Sequence, residues 1–218
     1  MPCILGYNHV LTEGMREIFP TYSLPHPNEV ELSELLCEVI PCAEMVRLGK
    51  NGSDVTTAAV RLARAITGRD LVLQCGYHGW HDWYIGNTKK GKGVPEGTKK
   101  MTIPFDYNSF IARLKDPEVE SRVILEKHKR GAACVIMEPT NFHPPKEGFL
   151  SKIRDWCDRT GTLLIFDEMV TGFRWSLGGA QEYFGVHPDL ACFGKAMANG
   201  YPISAVVGRE EFMRHFGD

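Results

Sequence analysis

The sequence has no excess of charge of either sign. It contains 25 Lys and Arg residues against 27 Asp and Glu residues, for a formal net charge of −2. Nucleic-acid-binding proteins carry a strong basic excess, so this balance argues against a nucleic-acid partner. The sequence also has no apolar run of about 18 residues, the length needed to cross a bilayer, so we expect no membrane-spanning helix and no membrane partner.

Secretion signals and paired cysteines are missing as well. Residues 1–5 read Met-Pro-Cys-Ile-Leu and contain no basic segment leading into an apolar one. The seven cysteines are isolated, without a Cys-x-x-Cys pair. This pattern fits neither a disulfide framework nor a zinc knuckle. We therefore expect free thiols, a cytoplasmic location and no metal.

The pattern of apolar segments is typical of an α/β protein. With 43% hydrophobic and 24% charged residues, and without internal repeats, the chain has the composition of one globular domain spanning 1–218. Helix-like periodicity alternates with short, continuous apolar runs, which favours a mostly parallel sheet with helices on both faces. The predicted helices are 27–40, 55–67, 107–115, 118–129 and 147–160, and the predicted strands are 71–73, 132–137, 163–166, 190–193 and 203–207. Residues 76–106 show little periodicity and are interpreted as a long loop.

Polar residues follow three of these strands: residues 74–78, Glu138, and Asp167 with Glu168. Ligands of parallel sheets bind at the carboxyl ends of the strands. We therefore expect the functional site at this edge.

Two residues in these positions have the chemistry of a catalytic site. Lys195 lies between small residues just after an apolar strand, where partial burial would make its amine available for Schiff-base chemistry. The alternative is an ordinary surface lysine. Asp167 ends a strand and could keep a heterocyclic nitrogen protonated. Its alternatives are a helix cap and a metal ligand.

Two further segments could bind parts of a ligand. Gly52 and Ser53 precede a helix and offer free backbone N–H groups, a hydroxyl and the positive end of the helix dipole. Together these groups suit a phosphate. The alternative is an ordinary helix cap, which has the same sequence. The aromatic segment 77–82 offers rings that could stack on a flat cofactor. His78, His81 and Asp82, with Asp167, could instead bind the metal ion of a metal-dependent hydrolase. The sequence has no further ligand at the spacing expected for such a site.

In order along the chain, these segments resemble the class III pyridoxal-phosphate-dependent aminotransferases, and within them the glutamate-1-semialdehyde 2,1-aminomutases. The resemblance spans about residues 5–215. The segments that carry it are 46–54, 61–70, 77–79, 138–139, 166–174, 184–189 and 194–202. It implies the large domain of a fold-type I enzyme with pyridoxal 5′-phosphate as cofactor.

The resemblance also implies a role for each site residue. Lys195 would form the Schiff base and shuttle the proton, and Asp167 would pair with the pyridine nitrogen. Gly52 and Ser53 would bind the phosphate, with Tyr77 and Met169 on the two faces of the ring and His78 beside them. The implied reaction is amino-group transfer on a small amine or keto substrate by a homodimer, either within one molecule, as in 5-aminolevulinate formation, or between two.

Two departures from the family pattern bear on function. Residues 50–54 read Lys-Asn-Gly-Ser-Asp, where the aminomutases typically have Asn-Ser-Gly-Thr-Glu, and residues 140–143 and 86–100 also differ from the aminomutase pattern. The substrate could therefore be a different amino or keto compound, including a sugar-linked one. The family is about twice as long, so we expect a large-domain fragment without the N-terminal segment and the C-terminal small domain. Such a fragment would bind cofactor weakly, or survive as a non-catalytic remnant.

Overall fold

The computed structural model describes residues 26–116 and 131–217. The predicted helix 118–129 lies outside these residues. A seven-stranded sheet forms the centre, with strand order β1-β7-β6-β5-β4-β2-β3. The strands are β1 Met45–Gly49, β2 Val72–Cys75, β3 Thr102–Pro104, β4 Cys134–Met137, β5 Leu163–Asp167, β6 Leu190–Phe193 and β7 Ser204–Gly208.

The direction of the strands defines one edge of the sheet as the site edge. Strands β3, β2, β4, β5 and β6 run parallel to one another, whereas β7 is antiparallel to both β6 and β1. The ends of β1, β2, β4, β5 and β6 and the start of β7 therefore meet at the same edge. The sequence-based expectation of a mostly parallel α/β sheet is confirmed.

Helices cover both faces of the sheet. They are α1 Pro27–Val39, α2 Gly52–Thr67, α3 Asp82–Ile85, α4 Glu96–Lys100, α5 Phe110–Leu114, α6 Phe149–Thr160, α7 Ala180–Phe184 and α8 Glu210–Met213, with 3-10 turns at Lys195–Ala198 and Arg214–Gly217. Alternate strand residues point to opposite faces, so one core packs against α1, α5 and α6 and the other against α2, α3 and α8. No helix in the described ranges is both long and apolar enough to cross a bilayer.

The interpretation of 76–106 as a long loop is wrong. This segment contains α3, α4 and the edge strand β3. Strand β3 is only three residues long and is held by parallel pairing with β2, so its own sequence carries no detectable periodicity. Strand β1 was missed for a related reason: its stability comes from pairing with β7, whose residues lie far later in the chain, as in the pair Gly49 and Ser204.

A buried carboxylate, Asp189, holds the opposite edge of the sheet together. It lies just before β6, and its Oδ2 accepts hydrogen bonds from Arg154 Nη1 at 2.9 Å and from the Leu164 N–H at 2.7 Å. Its Oδ1 accepts a hydrogen bond from Arg209, which follows β7. One side chain thus joins α6, β5, β6 and the end of β7.

We expect Asp189→Ala to destabilise the chain by about 3 kcal/mol, because it removes the buried carboxylate that joins Arg154 and Arg209 and leaves the Leu164 N–H without its acceptor. Urea denaturation measures the effect. The matched control is Asp158→Ala, which removes an exposed carboxylate bound to the same Arg154 and should cost less than about 1 kcal/mol. Equal losses in the two variants would contradict the assignment of Asp189 as the central group.

Candidate active site

A cavity of about 410 Å³ opens at the site edge of the sheet. Its lining is drawn from the start of α2, the segment after β2, the ends of β5 and β6, and the segment before β7. All seven site residues predicted from the sequence line this cavity: Gly52, Ser53, Tyr77, His78, Asp167, Met169 and Lys195. The structure thus brings them together, while their individual roles remain predictions.

The amino terminus of α2 presents free N–H groups to the cavity. Asn51 caps the helix: its Oδ1 accepts the Asp54 N–H at 3.2 Å, and Asp54 Oδ2 accepts the Asn51 N–H at 3.3 Å. This reciprocal capping leaves the N–H groups of Gly52 and Ser53 without a hydrogen-bond partner among the described residues. With the helix dipole behind them, these groups suit an anion such as phosphate.

The Ser53 hydroxyl is oriented by the segment that follows β2. Its Oγ accepts the Trp80 N–H at 3.3 Å, which leaves its own hydrogen available to donate. Gly79 has a φ of +104°, and a Cβ at this position would lie 2.2 Å from Ser53 Oγ. One turn further along α2, Thr56 Oγ1 donates to the His78 carbonyl at 2.9 Å. Two hydrogen bonds therefore hold the segment 78–80 against the start of α2.

Asp167 and His78 form a buried pair at the floor of the cavity. The distance between His78 Nδ1 and Asp167 Oδ2 is 2.8 Å, and both side chains are almost fully buried. The other carboxylate oxygen, Oδ1, accepts the Met169 N–H at 3.1 Å. Both oxygens of Asp167 are therefore fixed, and the carboxylate is oriented to hold a protonated nitrogen in a poorly solvated place.

The imidazole of His78 is held by aromatic neighbours. Its ring stacks near Trp83, with centroids 6.2 Å apart, and meets Tyr84 edge-on at 5.4 Å. Burial raises the pKa of Tyr84 to about 12, so this phenol is neutral and donates to the Gly76 carbonyl at 3.0 Å. His78 Nε2 is buried and has no hydrogen-bond partner among the described groups.

Lys195 occupies a strained position immediately after β6. It is half-buried, and its φ of +46° lies in the left-handed region that residues with a side chain rarely adopt. The following 3-10 turn holds this conformation, in part through the Gly200 N–H, which donates to the Lys195 carbonyl. Strain of this kind persists only where the surrounding structure fixes the backbone.

Met169 and three aromatic residues complete the lining. The sulfur of Met169 lies 3.0 Å from an ideal Cβ at Gly52 and 2.8 Å from one at Gly194, so it packs between the start of α2 and the residue before Lys195. Tyr77, Trp80 and Tyr201 lie at the mouth of the cavity and are 60%, 69% and 44% exposed. Tyr77 meets Tyr84 edge-on, which leaves one of its faces available for stacking.

The alternative of a metal-dependent hydrolase has no geometric support in the described part of the chain. His78 is bonded to Asp167, whereas His81 Nδ1 lies 2.8 Å from Thr57 Oγ1 and Asp82 begins α3. Within 26–116 and 131–217, no group of three His, Cys, Asp or Glu residues is arranged to hold a metal ion.

Several lining residues were not among the predicted site residues: Lys50, Asn51, Thr56, Gly79, Trp80, Tyr201, Pro202 and Ile203. The spacing from Ser53 to Thr56, about one helical turn, could have indicated Thr56. The closeness of Gly79 to Ser53 depends on how β2 and α2 pack and leaves no local signal.

Comparison with known proteins agrees with this geometry. The family profile described as aminotransferase class-III matches residues 11–218. A 3-aminobutyryl-CoA aminotransferase from Cloacimonas acidaminovorans is 42% identical over 100% of this chain and 52% of its own length. A glutamate-1-semialdehyde 2,1-aminomutase from Methanococcus maripaludis is 36% identical over 99% of this chain and 53% of its own length.

Solved structures show the same architecture. The FumI protein of Sphingopyxis sp. MTA144, solved in its PLP internal aldimine form, aligns with a TM-score of 0.83 and 31% identity over 100% of this chain and 53% of its own. The chain spans about half the length of the curated relatives it matches. On its sequence and its fold, the chain belongs to the class-III aminotransferase family.

Proposed function

We propose that this chain is the cofactor-binding large domain of a pyridoxal-phosphate-dependent enzyme that transfers amino groups. One observation carries the proposal. The buried Asp167 carboxylate, whose two oxygens are each held by a hydrogen bond, lines the same cavity as Lys195 and the first residues of α2. The family membership and the PLP-containing structural relatives support the same cofactor.

The residues present fit the three functional parts of this cofactor. The N–H groups of Gly52 and Ser53 and the Ser53 hydroxyl suit its phosphate, Asp167 suits its ring nitrogen, and Lys195 suits its aldehyde. When bound, pyridoxal phosphate supplies an aldehyde that condenses with amines and a ring that accepts electrons. His78 and the Met169 N–H hold Asp167 in place, and Tyr77 and Met169 would cover the two ring faces.

Lys195 has two tasks in the proposed reaction. Its Nζ would hold the cofactor aldehyde in the absence of substrate, and as a free amine it would accept a proton from one carbon and donate it to another. Transfer of nitrogen between two molecules, or between neighbouring carbons of one molecule, uses the same groups. The substrates of the two relatives, glutamate-1-semialdehyde and 3-aminobutyryl-CoA, are therefore the first to assay, followed by sugar-linked amines.

The first experiment is the absorption spectrum of the chain mixed with pyridoxal phosphate. A new visible band, made permanent by borohydride reduction, would support the proposed cofactor site. Conversion of the band on adding an amine would support transfer activity, whereas binding without conversion would point to a non-catalytic domain. Absence of any band would contradict the proposal for this chain.

We further propose that the chain acts as a homodimer. Tyr77, Trp80 and Tyr201 are exposed around the cavity mouth, as expected for aromatic side chains that a second copy could cover. Light scattering across a concentration series, with and without pyridoxal phosphate, tests this. A monomeric mass at all concentrations would contradict it.

Gly79→Ala should weaken binding of pyridoxal phosphate by about 10- to 100-fold, the equivalent of one hydrogen bond to a charged group. The added methyl group would displace the Ser53 hydroxyl from the phosphate position. The matched control is Gly93→Ala, because Gly93 also has a positive φ, of +92°, but nothing lies within 4 Å of its ideal Cβ. Equilibrium titration measures both dissociation constants. Equal losses in the two variants would attribute the effect to backbone strain alone.

A further inference from the structure

Glu138 is a largely buried carboxylic acid at the site edge to which the proposed function assigns no role. It follows β4, the strand that lies between β2 and β5 in the sheet. Its N–H donates to the Cys75 carbonyl at 3.2 Å, which places it beside the segment that leads from β2 to His78.

The Glu138 side chain fills the space beside Gly76. A Cβ at Gly76 would lie 2.6 Å from Glu138 Oε2 and 2.9 Å from Cγ, and the φ of Gly76 is +116°. The backbone N–H of Tyr77, the next residue, also acts on this carboxyl group and lowers its pKa. Glu138 therefore fixes the two residues that directly precede His78.

The charged surroundings of Glu138 are the groups of the candidate active site. Burial raises the pKa of Glu138 above its usual value of 4.5, and the charge of Asp167 raises it further, whereas His78 and Lys195 act in the opposite direction. Cys75, Tyr84 and Tyr107 also face Glu138, but burial raises the pKa of each to about 12. At neutral pH these three groups are uncharged, so the electrostatic coupling of Glu138 is to Asp167, His78 and Lys195.

We propose that Glu138 is a positioning residue that sets the charge balance of the site by holding the segment before His78 and by acting on the Asp167–His78 pair and on Lys195. This inference rests on the proposed function. An ionised Glu138 favours protons on the nitrogens of the site, and a protonated Glu138 disfavours them. Because Met137 pairs with Phe166, Glu138 and Asp167 lie side by side at the ends of the neighbouring strands β4 and β5. A unit charge within about 10 Å, at an effective dielectric constant of about 20, shifts a proton equilibrium by about one pH unit or more.

The test is Glu138→Gln, which keeps the shape of the side chain and removes its charge. In the chain loaded with pyridoxal phosphate, we expect the midpoint of the pH-dependent change in the visible spectrum to fall by about one pH unit. The control is Glu34→Gln, an exposed position on α1, which should leave the midpoint unchanged. An unchanged midpoint in Glu138→Gln would overturn the inference.

A second measurement uses the chain without cofactor. Because the folded-state pKa of Glu138 is raised, the folded chain keeps this proton over a pH range in which the unfolded chain has lost it. Wild-type stability therefore falls, relative to Glu138→Gln, as the pH rises from about 4 through the folded-state pKa. Urea midpoints across pH 4–8 measure the difference between the two proteins. A difference that is constant with pH would overturn the inference.

The two measurements separate the possible failures. A wild-type chain that develops no visible band contradicts the proposed cofactor site, whereas the urea series still tests the coupling of Glu138. Where Glu138→Gln does not fold, Glu138→Asp replaces it in both experiments. This variant keeps the charge but withdraws it from Gly76, and we expect smaller shifts in the same direction. No shift in either measurement would overturn the inference.

Discussion

Lys195→Ala is expected to abolish covalent retention of pyridoxal phosphate and to slow amino transfer by about 10²- to 10⁴-fold, the usual contribution of a positioned proton carrier. Lys195 follows β6 after one intervening residue, Gly194, and it lines the cavity. In the proposed reaction, this variant would lose both the amine that holds the cofactor aldehyde and the base that moves the proton. Mass spectrometry after borohydride reduction measures retention, and single-turnover absorbance changes with amine donors measure transfer.

The chain offers a matched control for this prediction. Lys50 is the other lysine among the described residues that line the same cavity. Lys50→Ala should retain the cofactor through reduction, because Lys50 precedes the proposed phosphate-binding turn, whereas Lys195 follows β6, the strand that pairs with the Asp167 end of β5. Cofactor retained by Lys195→Ala and lost from Lys50→Ala would reverse the assignment.

Asp167→Asn should reduce amino transfer by about 10²- to 5 × 10³-fold while leaving the chain folded. The estimate treats the change as loss of one partner from a buried ion pair, about 3–5 kcal/mol, converted at 1.36 kcal/mol per tenfold in rate. Asparagine can still accept the Met169 N–H, so the geometry of the segment after β5 is preserved. What disappears is the negative charge that would keep the cofactor ring nitrogen protonated.

The unloaded chain separates this electrostatic effect from damage to the fold. Removal of a buried charge next to Glu138 relieves repulsion between two carboxylates, so the urea midpoint of Asp167→Asn at pH 8 should equal or exceed that of the wild type. A His78→Phe variant provides the comparison, because it leaves the carboxylate in place but removes its hydrogen-bond partner. We expect its rate to lie between those of the wild type and Asp167→Asn. A rate equal to the wild type's in Asp167→Asn would refute the role of the charge.

Local sequence was sufficient for most of the architecture. Continuous apolar runs bounded by polar residues located β2, β4, β5 and β6, since a strand buried on both faces has no room for polar side chains. Helices α2 and α6 carried a 3.6-residue periodicity that reflects one buried face, whereas within α1 only Leu36 is buried. The edge strands β1 and β3 were missed because pairing partners, and not their own composition, stabilise them.

The sequence by itself determined the candidate residues for the site: a lysine and an aspartate near strand ends, and a glycine–serine pair at the start of a helix. It did so because these residue types and positions are local properties of the chain. Only the tertiary structure decided the contacts between them. His78 and Asp167 are 89 residues apart, and their hydrogen bond depends on the register of β2, β4 and β5. Likewise, Gly79 lies against Ser53 and Glu138 against Gly76 because separate elements pack within a few ångströms of one another. Such distances follow from the packing of the whole sheet, which no local pattern encodes.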